Sequence, residues 1–139
     1  MEKEFVSYEQ ALALKEFDIA MVSFGQYWRD KDDNKIYLFI GDDMVFEDYD
    51  APGLSDIEFI CSAPLKQQAF RWFREKHNLH SEILLDQTTY PKYCFEIHRY
   101  EDFGNYEKIE NRDWSLHRTF NEAESACLDK LIEIKEKQN

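Results

Sequence analysis

Glycine, proline and cysteine are scarce in this chain. Its 139 residues include four glycines, three prolines and three cysteines. So few glycines and prolines exclude low-complexity linkers, and the glycines are too scattered to form a phosphate-binding loop. The cysteines Cys61, Cys94 and Cys127 are an odd number without a close pair, which argues against a disulfide framework. We therefore expect reduced thiols and a cytoplasmic location.

Long apolar runs and a surplus of basic residues are also lacking. No stretch approaches the ~20 apolar residues that span a bilayer, and the N-terminus does not have the layout of a signal peptide. Seventeen Lys and Arg residues against 29 Asp and Glu residues give a net charge of -12. Because nucleic acids and anionic membranes attract Lys and Arg, we expect neither direct nucleic acid binding nor membrane binding.

The chain does contain enough apolar material for a folded core. It is 43% hydrophobic and 16% aromatic, which is too rich in large apolar side chains for a disordered chain. A length of 139 residues suits one core but hardly two. We therefore expect a single compact domain over residues 1–139.

Residue patterns predict an α+β fold with the element order α-β-β-α-β-β-β-α. Ser7 and Gln10 form a capping-box pattern at the start of the first helix, which ends near Phe17. Helices are also predicted over Leu65 to Asn78 and from Thr119 or Asn121 to Lys135. Strands are predicted at Ile19 to Trp28, Ile36 to Gly41, Ile83 to Leu85, Tyr93 to Tyr100 and Asp113 to Arg118. Short connections favour one antiparallel sheet of about four to five strands, covered by two or three helices.

Acidic residues are concentrated between Asp30 and Glu58. This segment of 29 residues has ten acids against two lysines, so it carries -8 of the total charge of -12. Most of the acids fall in a predicted loop at about residues 42–62, in which a short strand at Ile57 to Cys61 is allowed. Aromatic side chains alternate with the acids, and aromatic anchors inside a charged rim are typical of protein interfaces. The candidate partner-binding residues are Asp42, Asp43, Phe46, Glu47, Asp48, Tyr49 and Asp50.

The acidic segment has two alternative interpretations. It is either a solvated loop that keeps the protein soluble or a loop that binds divalent cations. Its DDNK and GDDMVFEDYD stretches offer oxygen ligands, but neither has the ligand spacing of a calcium loop.

No catalytic motif is present, and we assign no catalytic residue. The strand alternation predicts that Cys94, Glu96 and His98 share one face, but Cys94 and His98 would be ~13 Å apart and out of contact. We expect the three cysteines to be buried as small apolar side chains. A histidine–carboxylate metal site would form only if the sheet brought His98 or His117 beside His80. His77 instead suits the C-terminal end of a helix dipole, so we expect no metal site and no cofactor.

Three helical segments resemble a known group of proteins. These are VSYEQALALKEF, SAPLKQQAFRWFREKHNLH and TFNEAESACLDKLIEIKEK, which together cover roughly a third of the chain. They are similar to small proteins from prophages and mobile elements of Bacteroides-type bacteria. The resemblance implies a bacterial host cell and a phage context, and it supplies no mechanism.

Together these features predict a non-enzymatic, acidic accessory protein of a phage or mobile element. It would bind a basic surface of a host or phage protein through its acidic region. The alternative is a small-ligand-binding or sequestering protein, or an enzyme that handles a metal or nucleotide. Its cleft between sheet and helices would use some of Arg71, Arg74, His98 and Arg99. Formation of a homo-oligomer is compatible with either function.

Overall fold

The fold is known from a computed structural model that describes residues 2–17, 23–41, 56–86, 92–101, 106–110 and 116–138. The chain divides into two compact units, Met1–Leu65 and Lys66–Asn139. No helix in the described ranges is both long enough and apolar enough to cross a lipid bilayer.

The described part of the first unit is a three-stranded antiparallel sheet with one α-helix packed on it. A short 3-10 helix, Glu2–Glu4, precedes α1, Tyr8–Glu16. The strands are β1, Gly25–Asp30, β2, Ile36–Ile40, and β3, Ile57–Ala63. Their order is β2-β1-β3, and both pairings are antiparallel. Since β1 lies in the centre, its side chains contact those of both neighbours.

Helix α1 begins where its capping box predicts. The side chain of Ser7 accepts a hydrogen bond from Gln10 N, and the side chain of Gln10 accepts one from Ser7 N. The helix is held on the sheet by the Tyr27 hydroxyl, which donates to the carbonyl of Val6 at 2.7 Å. Lys15 Nζ donates to the carbonyl of Ile60 in β3 at 3.0 Å. These bonds place α1 on one face of the sheet, so the other face carries the side chains that alternate with Tyr27.

The second unit contains a second three-stranded antiparallel sheet and two helices. Its elements are α2, Lys66–His77, β4, Leu79–Asp86, β5, Lys92–Tyr100, β6, Tyr106–Glu110, and α3, Phe120–Lys137. The strand order is β4-β5-β6. Thr119 caps α3, because its hydroxyl accepts a hydrogen bond from Glu122 N.

Apolar side chains of α2, α3 and the sheet form the core of the second unit. Its largest fully buried members are Phe73, Leu79, Ile97, Leu128 and Leu131. Leu79 and Ile97 belong to the sheet face opposite the one that carries Glu96 and His98, because strand side chains alternate. Helices therefore cover one face of β4 and β5, and the polar side chains of Glu96 and His98 belong to the other.

The α+β class is confirmed, whereas the prediction of one sheet is wrong. The described strands form two sheets of three strands, and not one sheet of four to five. The short strand allowed at Ile57 to Cys61 within the predicted loop is confirmed as β3, which extends to Ala63. The described third strand of the second sheet is Tyr106–Glu110, which was not predicted. Of the predicted strand at Asp113 to Arg118, residues 116–118 are described, and His117 forms an isolated bridge to Tyr93.

Candidate functional site

The predicted partner-binding residues lie outside the part of the chain that the structure describes. This applies to Asp42, Asp43, Phe46, Glu47, Asp48, Tyr49 and Asp50. The flanks of the acidic segment are described, at residues 30–41 and 56–58.

Four aromatic side chains cluster on the sheet face of the first unit opposite α1. Trp28 makes edge-to-face contacts with Phe59 at 5.4 Å between ring centroids and with Phe39 at 6.5 Å. Tyr37 lies beside Phe39 at 6.3 Å. The register explains the cluster, because Trp28 pairs with Tyr37 on one side and with Phe59 on the other. We call Trp28, Tyr37, Phe39 and Phe59 the aromatic face.

The aromatic face remains accessible to solvent. Phe59 is 47% exposed, and the other three rings are partly exposed. Trp28 is fixed in place by its indole N–H, which donates to Gln26 Oε1 at 3.1 Å. Rings that are held in position and still exposed are suited to contact another molecule, because little side-chain entropy remains to be lost.

Carboxylates are grouped at one end of the same sheet, together with the exposed Lys31 and Lys35. Asp32 and Asp33 are exposed in the β1–β2 turn, Asp56 directly precedes β3, and Glu58 in β3 points to the face opposite to that of Phe59. Lys35 Nζ lies 5.8 Å from the ring centroid of Tyr37. The two segments are joined by a hydrogen bond from Lys31 N to the carbonyl of Asp56 at 2.8 Å. We call Asp32, Asp33, Asp56 and Glu58 the acidic end.

In the second unit, the sheet assembles two carboxylates and one histidine. Glu82 in β4 is the register partner of Glu96 in β5, and His98 follows Glu96 by two residues on the same face. One potential metal-binding atom from each of the three side chains lies within 4.8 Å of the other two. His98 Nε2 is 3.2 Å from Glu96 Oε2, and these side chains are only 11% and 13% exposed. Glu82 is exposed and opens the cluster to solvent.

His80 lies next to this cluster on the same sheet face, so that His80, Glu82, Glu96 and His98 mark the corners of a rectangle. It is the register partner of His98, as Glu82 is of Glu96, so the sheet does bring His98 beside His80. The ring of His80 lies against Tyr100, at 4.7 Å between ring centroids. The pKa of His80 is lowered by burial, and then by the positive charges of Arg74 and His98. A lowered pKa keeps the imidazole neutral at pH 7, the form in which it can accept a proton or a metal.

The other histidines do not join this cluster. His77 packs against Trp72 at 4.6 Å between ring centroids. Burial and the positive charge of Lys135 lower the pKa of His77. The surroundings of His77 therefore disfavour the charged form that would interact favourably with the helix dipole. His117 is stacked on Phe95, a neighbour of Glu96 that points to the opposite face.

All three cysteines are buried, as predicted, and their thiols are not joined in disulfides. Burial raises the pKa of Cys61, and it raises the pKa of Cys127 to about 12. Thiols that stay protonated at neutral pH are poor nucleophiles, so neither cysteine has the environment of a catalytic residue.

Three of the cationic residues proposed for a ligand cleft, Arg71, His98 and Arg99, have different surroundings. Arg71 is exposed and donates to Glu75 at 2.8 Å. Arg99 lines a shallow depression of about 410 Å³, together with His77, Asn78, Tyr100 and Glu101. His98 alternates with Arg99 along β5 and therefore points to the other face. One guanidinium and one carboxylate line this depression, and they do not indicate which ligand would bind there.

The sequence pattern predicted part of the cluster that Glu82, Glu96 and His98 form. Alternation along β5 placed Glu96 and His98 on one face, and this is confirmed by the contact between them. Glu82 was missed because only the register of β4 against β5 brings it opposite Glu96. Comparison with protein-family models, with curated proteins and with solved structures finds no match to this chain.

Proposed function

We propose that this chain is a non-enzymatic binding protein that docks a basic protein on its first sheet. The partner would contact the aromatic face and the acidic end together. The observation that carries the proposal is the exposed Phe59 ring, packed on Trp28 in a cluster whose sheet ends in four carboxylates. The partner would be a protein of the bacterial host, or of the phage or mobile element that the resemblance implies.

The aromatic face supports the proposal through its chemistry. Trp and Tyr are enriched among the residues that dominate binding energy, since they bury a large area with few rotatable bonds. Trp28, Tyr37 and Phe59 place such rings on one face of the three-stranded sheet. A partner that covered Phe59 would remove apolar area from water, which contributes roughly 25 cal/mol for each Å².

The acidic end defines the charge of the partner. Its carboxylates, together with those of residues 42–50, attract a surface rich in Lys and Arg. Electrostatic attraction of this kind raises the rate of association and weakens as salt increases. The aromatic contact depends little on salt. The two contributions can therefore be separated by experiment.

The test is affinity capture from a lysate of the bacterial host, followed by measurement of each candidate partner's Kd. Phe59→Ser removes the exposed ring, and Asp32→Asn with Asp33→Asn removes charge from the acidic end. Leu85→Ser and Glu136→Gln are matched controls, because both residues are exposed and belong to the second unit. Circular dichroism checks that each variant is folded.

We expect a basic protein that is captured by the wild type and by both controls. Phe59→Ser should weaken its Kd at least tenfold at all salt concentrations, which corresponds to about 1.4 kcal/mol. The charge variant should slow association at low salt and have little effect at high salt. Equal capture by the wild type and by Phe59→Ser would refute the role of the aromatic face.

The segment at residues 42–50 requires a separate variant. Changing Asp42, Asp43, Asp48 and Asp50 to Asn removes four charges from it and leaves the aromatic face unchanged. Under the proposal, this variant loses the salt-dependent part of the affinity and keeps the remainder. An unchanged affinity at low salt would restrict the docking surface to the first sheet and would contradict the sequence-based choice of residues 42–50.

A further inference from the structure

We propose that Glu82, Glu96 and His98 form a binding site for a divalent transition-metal ion of the zinc type. The site lies in the second unit, and it is independent of the docking surface on the first sheet. We call these three residues the metal cluster.

The geometry of the metal cluster fits a small cation. Its three potential ligand atoms lie within 4.8 Å of one another. In a tetrahedral zinc site with ligand distances of ~2.1 Å, neighbouring ligand atoms are ~3.4 Å apart. Two of the three, His98 Nε2 and Glu96 Oε2, are already 3.2 Å apart. A bound ion would draw the carboxylate of the exposed Glu82 closer to the other two ligands.

The strands hold these ligands more firmly than a loop would. Glu96 and His98 are fixed two residues apart on one face of β5, and Glu82 is fixed opposite Glu96 by eight consecutive register pairs between β4 and β5. The central strand β5 is paired on both sides. Such a framework limits the entropy that is lost when a metal binds.

The charges of the metal cluster also favour a dication. The carboxylates of Glu82 and Glu96 face each other across the two strands and repel each other, and a bound dication would neutralise both. One imidazole with two carboxylates is a donor set that suits zinc, manganese or cobalt better than calcium or magnesium, which prefer oxygen ligands only. Three protein ligands leave a fourth position for water, and His80 lies beside His98 at the remaining corner of the rectangle.

Calorimetric titration of the chelator-treated protein with Zn²⁺ tests the proposal. We expect one ion bound for each chain. Glu82→Gln, Glu96→Gln and His98→Gln should each weaken the affinity at least about tenfold, because each removes a ligand. Glu107→Gln and His77→Gln are matched controls outside the metal cluster, and they should leave the affinity within about twofold. A second titration with Co²⁺, followed by its visible absorption, would show nitrogen and oxygen ligands in the wild type and a changed spectrum in His98→Gln.

The melting temperature provides a second test that uses only the exposed ligand Glu82. It does not depend on whether the variants of the mostly buried residues Glu96 and His98 are folded. Glu82 is exposed, so Glu82→Gln should retain the fold. Zn²⁺ in excess should raise the melting temperature of the wild type by mass action, and it should raise that of Glu82→Gln less. Absence of Zn²⁺ and Co²⁺ binding would overturn the proposal, and so would binding that the three ligand variants leave unchanged. Neither result would affect the docking proposal, because the residues that it assigns to the docking surface all lie in the first unit.

Discussion

Removing the hydroxyl of Tyr27 tests how the first helix is held on the first sheet. The hydroxyl donates to the carbonyl of Val6 at 2.7 Å, and both residues are buried. Tyr27→Phe keeps the ring and its edge-to-face contact with Tyr8 at 5.4 Å, so it removes the hydrogen bond with little change in packing. A buried carbonyl that loses its donor costs about 1–3 kcal/mol. We expect the free energy of unfolding to fall by that amount at pH 7.

The same hydroxyl makes stability depend on alkaline pH. Burial, followed by the negative charges of Cys61, Glu9 and Glu2, raises the pKa of Tyr27 from 10.0 to about 12. Because the folded pKa is above the unfolded one, the stabilisation is fully present below pH 10 and is lost as the pH rises toward 12. Integration over the two pKa values gives a loss of ~1.4 kcal/mol at pH 11 and ~2.7 kcal/mol above pH 12.

Urea unfolding of both proteins at pH 7 and pH 11 measures these two effects. Replacing Trp72 and Trp114 by Phe leaves Trp28 as the only tryptophan, so fluorescence then follows the first unit. Tyr27→Phe lacks the titrating group, so its own stability does not change with this ionisation. The difference in the free energy of unfolding between the wild type and Tyr27→Phe should therefore shrink by ~1.4 kcal/mol between pH 7 and pH 11. Tyr37→Phe, on the aromatic face, is the control for a general effect of losing a phenol. A difference that is the same at both pH values would refute the reasoning.

Three further predictions concern packing, a buried charge pair and thiol reactivity. Gly25→Ala should destabilise the first unit by about 1–3 kcal/mol in urea unfolding, because a Cβ there would lie 2.6 Å from Cε1 of Phe5. Lys66→Met should lower the free energy of unfolding by about 1–3 kcal/mol, since it removes the ion pair at 3.8 Å from Glu124, which is 7% exposed, while Gln67 Nε2 still donates to Glu124 at 3.0 Å. Cys127 should resist iodoacetamide at pH 8 in the folded protein and react in urea, as mass spectrometry can show, because its thiol pKa is raised to about 12.

Each of these predictions has a control and a contrary outcome. Ser62→Ala, an exposed change on β3, should leave stability unchanged, and equal stability of Gly25→Ala would show that the Phe5 contact relaxes at no cost. Arg71→Met breaks an exposed pair with Glu75 and should leave the free energy of unfolding almost unchanged, because solvent screens exposed charges. An equally small change for Lys66→Met would contradict the argument from burial. Rapid alkylation of Cys127 in the folded protein would contradict the predicted protection.

Features that depend on neighbouring residues could be predicted from the sequence. The Ser7–Gln10 capping box and the Thr119 cap involve residues three apart, and the structure places both as expected. Periodicity identified α2 and the burial of Phe73, because the pattern repeats within one element. In the same way, alternation along β5 was enough to place Glu96 and His98 on one face.

Features that depend on pairing between distant segments were decided by the tertiary structure. The division of the strands into two sheets and the contact of Trp28 with Phe59 both require β3 to pair with β1. Nothing local in the sequence selects that register. Glu82 likewise joins Glu96 and His98 only because β4 aligns with β5 in one particular register, and a shift by one residue would turn it to the opposite face. The sequence by itself therefore determined the acidic charge, the helices and the faces of single strands, whereas strand pairing decided which of these side chains meet.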